Sequence, residues 1–160
     1  LAMFSSFQDR REAETVAREL QRFLVVMRSK ARVQESAGCE TAAGERLVRF
    51  QVTLDANNGR ALGKPICAHE RENKFQGRVV TDTQYWHTYP FSAPVTLVEG
   101  GSAKLEFFAN LGGAILFDAS GQPFTTRGNV QEVVVEKGGV QFGFQVFESG
   151  EISSVRKLTP

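Results

Sequence analysis

The sequence predicts an α+β fold in which a long N-terminal helix packs on antiparallel β-sheet, and two observations carry that prediction. Residues 6–33 contain neither Gly nor Pro and place their apolar side chains three and four positions apart. From Gly44 onward the apolar period drops to two, and short Gly-rich turns separate the alternating runs. Steps of three and four put side chains on one stripe of a helix, whereas steps of two put them on one face of a strand. Short turns join antiparallel strands, since parallel pairing needs a long crossover. The chain is read as one domain over 1–160, with helix over 1–35 and antiparallel sheet over 45–160, irregular at 63–94.

The helical stripe is Ala13, Val16, Ala17, Leu20, Phe23, Leu24, Met27 and Ala31, with mostly charged residues between. Glu14 and Arg18 stand one turn apart with the acid first, the favourable order. Ser36 to Gly38 supplies a stop signal. About 28 residues at the standard rise make roughly 42 Å, more than the roughly 30 Å width of a compact domain of this size. One end is therefore expected to project. Before Ala13 the stripe thins to Phe4 and Phe7, followed by the charged run Asp9 to Glu12. Three readings of this start stand open: a frayed start, a local capping box at Ser6 and Asp9, or an apolar helix that begins upstream of Leu1. With the stripe on the sheet, Val16, Leu20, Phe23, Leu24 and Met27 are expected to be buried, and Phe4 and Phe7 largely exposed.

The strands follow in order. Val48, Phe50, Val52 and Leu54 alternate with Arg49, Gln51 and Thr53, and Asn57-Asn58-Gly59 is a hairpin-type turn. Between Gly63 and Pro94, three prolines and the polar run Arg71 to Lys74 predict loops, with one short strand near Arg78 to Thr81. Strands are then expected at Val95–Glu99, Lys104–Phe108, Ala114–Asp118, Val130–Glu136, Val140–Val146 and Ile152–Val155. The turns between them are Gly100-Gly101, Asp118 to Gly121, Gly138-Gly139 and Glu148 to Gly150.

Composition narrows the function. Hydrophobic residues are 41% and charged residues 23% of the 160, the balance of an ordinary globular chain. A net charge of +1 supplies no global field for nucleic acid or an anionic membrane. No apolar run reaches the roughly 18 residues that span a bilayer. Cys39, Cys67, His69 and His87 are the right types for a Cys2His2 zinc site, but their spacing fits no finger or ribbon. Cys39 or Cys67 with a histidine is a weak dyad candidate, and no Gly-x-Ser-x-Gly elbow or phosphate-cradling Gly-rich loop is present. The expectation is a non-enzyme with no cofactor, metal or small-molecule substrate. The aromatic cluster Tyr85, Trp86, His87, Tyr89 and Phe91 is read as packing a long loop onto the sheet, the alternative being an exposed docking patch.

Two segments resemble the type IV pilin-like proteins, in particular the GspH/FimT group of minor pilins and pseudopilins. One is the amphipathic helix ending in Arg28-Ser29-Lys30-Ala31, which is similar to that group's Arg-x-x-Ala unit. The other is Ile115-Leu116-Phe117-Asp118-Ala119-Ser120-Gly121-Gln122-Pro123, which resembles its Ile-x-Phe-x-x-x-Gly-x-Pro hairpin. Gly128, a Val-rich strand and a terminal strand opened by Gly150 follow in the same order. The family's opening is absent, and Gly150-Glu151-Ile152 stands where the group has Gly-Arg-Val.

The resemblance implies a structural subunit of a type II secretion pseudopilus or a type IV pilus. The full-length protein would cross the bacterial inner membrane once, through an apolar helix upstream of Leu1. This domain would lie in the periplasm or on an extracellular filament, with other pilins or pseudopilins as partners. Subunit contacts are expected at Phe4, Phe7, Arg11 and Arg18. The alternative is a pilin-fold module that binds extracellular DNA or another ligand, with Arg127, Arg156 and Lys157 as candidate contacts. Two or three cations hold few phosphates, so DNA ranks behind the structural role. The implied periplasm is oxidising, and Cys39 and Cys67 are an even pair for one disulfide. Two free buried thiols are the other reading.

Overall fold

The computed structural model describes residues 2–33, 37–40, 43–98, 103–109, 112–118, 120–124 and 128–159, with residues 2–4 as backbone. The predicted turn at Gly100-Gly101 and Ala119 of the next turn lie outside them. Helix α1 spans Ala2–Arg32, 31 residues or about 46 Å at the standard rise. Ser6 and Asp9 thus sit inside the helix, and the predicted capping box there is not formed. Ala13, Val16, Ala17, Leu20, Leu24, Met27 and Ala31 are buried, as the periodicity requires. Phe23 is only half-buried, its ring 6.0 Å from that of Tyr89 at the edge of the stripe.

Two antiparallel sheets receive this stripe. The first contains β1 (Glu45–Asp55), β2 (Arg60–His69), β3 (Arg78–Val79), β4 (His87–Pro90), β6 (Lys104–Phe108) and β7 (Ala114–Leu116), ordered β3-β2-β1-β6-β7 with β4 also on β2. The second contains β5 (Thr96–Leu97), β8 (Val130–Lys137), β9 (Val140–Phe147) and β10 (Arg156–Lys157), ordered β10-β9-β8-β5. One hydrophobic core draws on all three layers: Leu20 and Met27 from the helix, Phe50 and Phe107 from the first sheet, and Val135 and Val146 from the second. Gln131 of β8 ties the sheets together. Its amide oxygen accepts from the Phe117 N–H at 3.2 Å and its amide nitrogen donates to the Lys104 carbonyl at 3.0 Å.

Close approach decides one glycine, and backbone conformation decides two more. A Cβ on Gly63 of β2 would strike the Met27 sulfur, so the helix lies against bare backbone there. Gly138 and Gly139 hold positive φ of 59° and 80° between Lys137 and Val140, the two-residue turn that suits a twisted hairpin.

Strand β3 at Arg78–Val79 lies where the short strand near Arg78 to Thr81 was expected, but the structure corrects the reading of the rest of 63–94 as loops. Strand β2 runs through Pro65 to His69 and pairs with β1 along its whole length. Pro65 is tolerated because its side of the strand faces a gap. Strand β4 begins opposite Gly63, β3 ends opposite Ile66, and between them the Val80 N–H reaches across to the Pro65 carbonyl at 2.9 Å. The missing proline N–H falls where no neighbouring strand would accept it. A bulge between Leu47 and Arg49 also interrupts the alternation of β1.

The final strand differs as well. Ile152 makes a single bridge to Val146, and regular pairing resumes only at Arg156–Lys157. The Ser153 hydroxyl accepts from the Gln145 N–H at 2.8 Å, taking the place of a main-chain acceptor.

The helix faces make a direct prediction. Leu20→Ala, in the sealed part of the stripe, is expected to cost about 3 kcal/mol in urea unfolding. Phe7→Ala, on an uncovered turn, is expected to change stability by less than about 1 kcal/mol. Equal losses contradict this placement.

Candidate functional site

The helix leaves its sheets near Glu12. Before that point Ser5, Ser6, Phe7 and Gln8 are exposed, and Phe7 keeps 59% of its surface open. The β8–β9 turn is the last element to hold it. The Lys137 ammonium pairs with the Glu12 carboxylate, and Gly138 comes so close to Asp9 that a Cβ would collide with that carboxylate. The Lys137 hydrogen bond, with that from the Gln8 amide, holds the Glu12 carboxyl below the usual carboxylate range. A pKa lowered on folding means that this clip stabilises at neutral pH and lets go as pH falls through the folded-state value.

A groove of about 450 Å³ runs beside this helix end, lined by Phe7, Arg11, Glu12, Thr15, Ser92 and Ala93. The Arg11 guanidinium stands 6.0 Å from the Phe7 ring centroid, so the ring is partly covered by its own helix neighbour. Two turns on from Arg11, Arg18 is exposed and bonds Glu14 at 3.0 Å. On the far wall the Ser92 hydroxyl donates to Glu19 at 2.9 Å. Of the four residues expected at a subunit contact, Phe7, Arg11 and Arg18 lie on the exposed side of α1. The side chain of Phe4 lies outside the described residues.

Cys39 and Cys67 form a disulfide, with Cα atoms 5.6 Å apart. The bond ties the segment after α1 to the C-terminal part of β2. It also takes up both thiolates that a Cys2His2 zinc site or a Cys-His dyad would need. Among the described residues no group of three or more His, Cys, Asp and Glu side chains is placed to hold a metal ion. His87 lies in β4 with its ring 5.8 Å from Phe50, a packing position.

The aromatic cluster around it packs the 78–91 segment down. Tyr85 covers Gly38, the Trp86 indole N–H donates to the Val80 carbonyl at 2.7 Å, and Tyr89 lies 5.9 Å from Phe91. Tyr85 still keeps an exposed edge.

Arg156 and Lys157 are adjacent and exposed on β10, and Arg127 lies outside the described residues. Two neighbouring cations neutralise few phosphates. The segments that carry the pilin resemblance are both structural. Ala31 is buried and Arg28 donates to the Gly150 carbonyl at 3.1 Å. Asp118 caps the second segment's turn by accepting from the Ser120 hydroxyl, the Ser120 N–H at 2.9 Å and the Gln122 N–H at 3.1 Å. The Ser120 hydroxyl and then the Gln122 amide hold its carboxyl below the usual carboxylate range.

One polar cluster escapes the sequence. Arg49 of β1 and Glu106 of β6 make a buried ion pair at 2.6 Å on the sheet face away from the helix. Arg49 was read from strand alternation as an ordinary outward position, and 57 residues separate it from Glu106. No local pattern announces the pair. No protein-family model, no curated protein and no solved structure matches the chain. Among the described residues no helix is long and apolar enough to cross a membrane.

Proposed function

We propose that this chain is the periplasm-facing globular part of a minor pilin or pseudopilin, a non-enzymatic structural subunit of a type II secretion pseudopilus or a type IV pilus. The observation that supports this reading best is the division of α1. From Ala13 to Ala31 its stripe is sealed by the two sheets, while the turns around Phe7 stand clear of them. A projecting helix turn with an uncovered aromatic ring gains by packing against another helix or surface. The helix surface from Phe7 to Arg18 is then the subunit interface, with Arg11 and Arg18 setting its register through charge. In this reading an apolar helix continuous with α1 lies upstream and stays in the inner membrane until the filament assembles. The Cys39–Cys67 bond agrees with an oxidising periplasm.

Fractionation of the full-length gene product in its native host tests the reading. It is expected in the inner membrane, with this domain open to protease from the periplasmic side, and gene deletion is expected to abolish piliation or secretion. A cytosolic, freely soluble product contradicts it.

A further inference from the structure

The face of the first sheet that points away from α1 carries a second groove, of about 790 Å³. The Arg49–Glu106 pair is among its lining. One wall is the 71–77 loop with Lys74 and Phe75, and the other is the hairpin of Phe117, Pro123 and Phe124. The wall hairpin is the Ile115–Pro123 segment that the sequence analysis singled out.

Phe75 is 62% exposed, yet its loop is pinned on both sides of it. The buried Arg49 guanidinium donates to the Lys74 carbonyl at 2.6 Å and to the Gln76 carbonyl at 3.0 Å, and the Phe75 N–H donates to the Asn73 side chain at 2.9 Å. Burying an ion pair on a sheet's outer face is costly, and what this pair holds in place is an aromatic ring facing water. With its backbone held in this way and its ring edge-on to Phe108 at 5.6 Å, Phe75 loses little entropy when a ligand covers it, which is the property of an interface anchor.

The groove's charge names the ligand. The Lys74 ammonium stands 5.2 Å and 5.0 Å from the Phe75 and Phe108 ring centroids, and that of Lys104 stands 4.5 Å from Phe117. Apolar walls with ammonium groups above them suit an apolar side chain next to a carboxylate. Nucleic acid suits them poorly. The ammonium groups stand over the rings on which bases would stack, and two lysines hold few phosphates.

We propose that this groove binds an extended segment of a partner protein in which an aromatic or aliphatic residue neighbours an aspartate or glutamate. The apolar side chain seats against Phe75 and Phe124, and the carboxylate lies between Lys74 and Lys104, sharing the Lys104 ammonium with Glu106 at 3.7 Å from it.

The test is fluorescence anisotropy of the folded domain with a labelled Gly-Ser-Phe-Asp-Phe-Asp-Gly-Ser peptide. The comparison probes carry Lys in place of Asp, or are an oligothymidine. Saturable binding of the acidic peptide, weaker by about tenfold or more for the Lys peptide, is expected. Phe75→Ala and Lys74→Glu are each expected to weaken it by about tenfold or more, the size of an interface anchor. Both residues are exposed, and a circular-dichroism melt confirms the fold of each variant. No saturable binding, equal binding of the two peptides, or full binding by Phe75→Ala overturns the proposal. So does preference for oligothymidine, or a signal that tracks self-association in light scattering.

Discussion

Glu106→Ala is expected to cost about 3–5 kcal/mol of stability, because it leaves the Arg49 guanidinium buried without its counter-charge. Arg49 and Glu106 side chains are 8% and 7% exposed, so water cannot replace the lost partner. The damage should spread to the 71–77 loop, whose Lys74 and Gln76 carbonyls Arg49 holds. Urea unfolding gives the size of the loss, and amide exchange at Gln76 and Gly77 gives its place. The double variant Arg49→Met with Glu106→Leu is expected to recover most of the stability, since replacing both partners removes the stranded charge. A Glu106→Ala loss below about 1 kcal/mol means that the pair is wet.

Removing the Cys39–Cys67 bond is expected to cost about 3.5 kcal/mol, the chain-entropy value for a sequence separation of 28. Reductant, or Cys39→Ser with Cys67→Ser, should lower the urea midpoint by the corresponding amount. Cys67 pairs with Leu47 of β1 and with Arg78 of β3, so the looser region should include β3 and the start of β1. An unchanged midpoint under reductant contradicts this.

The sequence conceals the first contact but offers Cys39 and Cys67 as an even pair, and the pattern of what was legible has a physical basis. Helix α1 was readable because eight apolar positions repeat at helical spacing with no breaker among them. Strands β6, β8 and β9 were readable because alternation and Gly turns are local signals. Apart from the short strand near Arg78, the 63–94 stretch was not, because its order is non-local. Strands β3 and β4 are two and four residues long, and they exist only as additions along one edge of β2. Pro65 looks like a strand breaker until the gap beside it is seen. The Arg49–Glu106 pair depends on β1 meeting β6, which no short window records. The uncovered helix end was legible, since the stripe thins before Ala13 just where the sheets stop.

That helix end is where the account is tested most directly. A photo-crosslinking phenylalanine analogue placed at Phe7 of the full-length chain, in its native host, reports what touches it. The same analogue at exposed Ser149 serves as the comparison. A covalent adduct with another filament subunit from position 7, with little from position 149, is the predicted result. No adduct at position 7, or equal yields from both positions, contradicts the claim that α1 presents this surface for assembly.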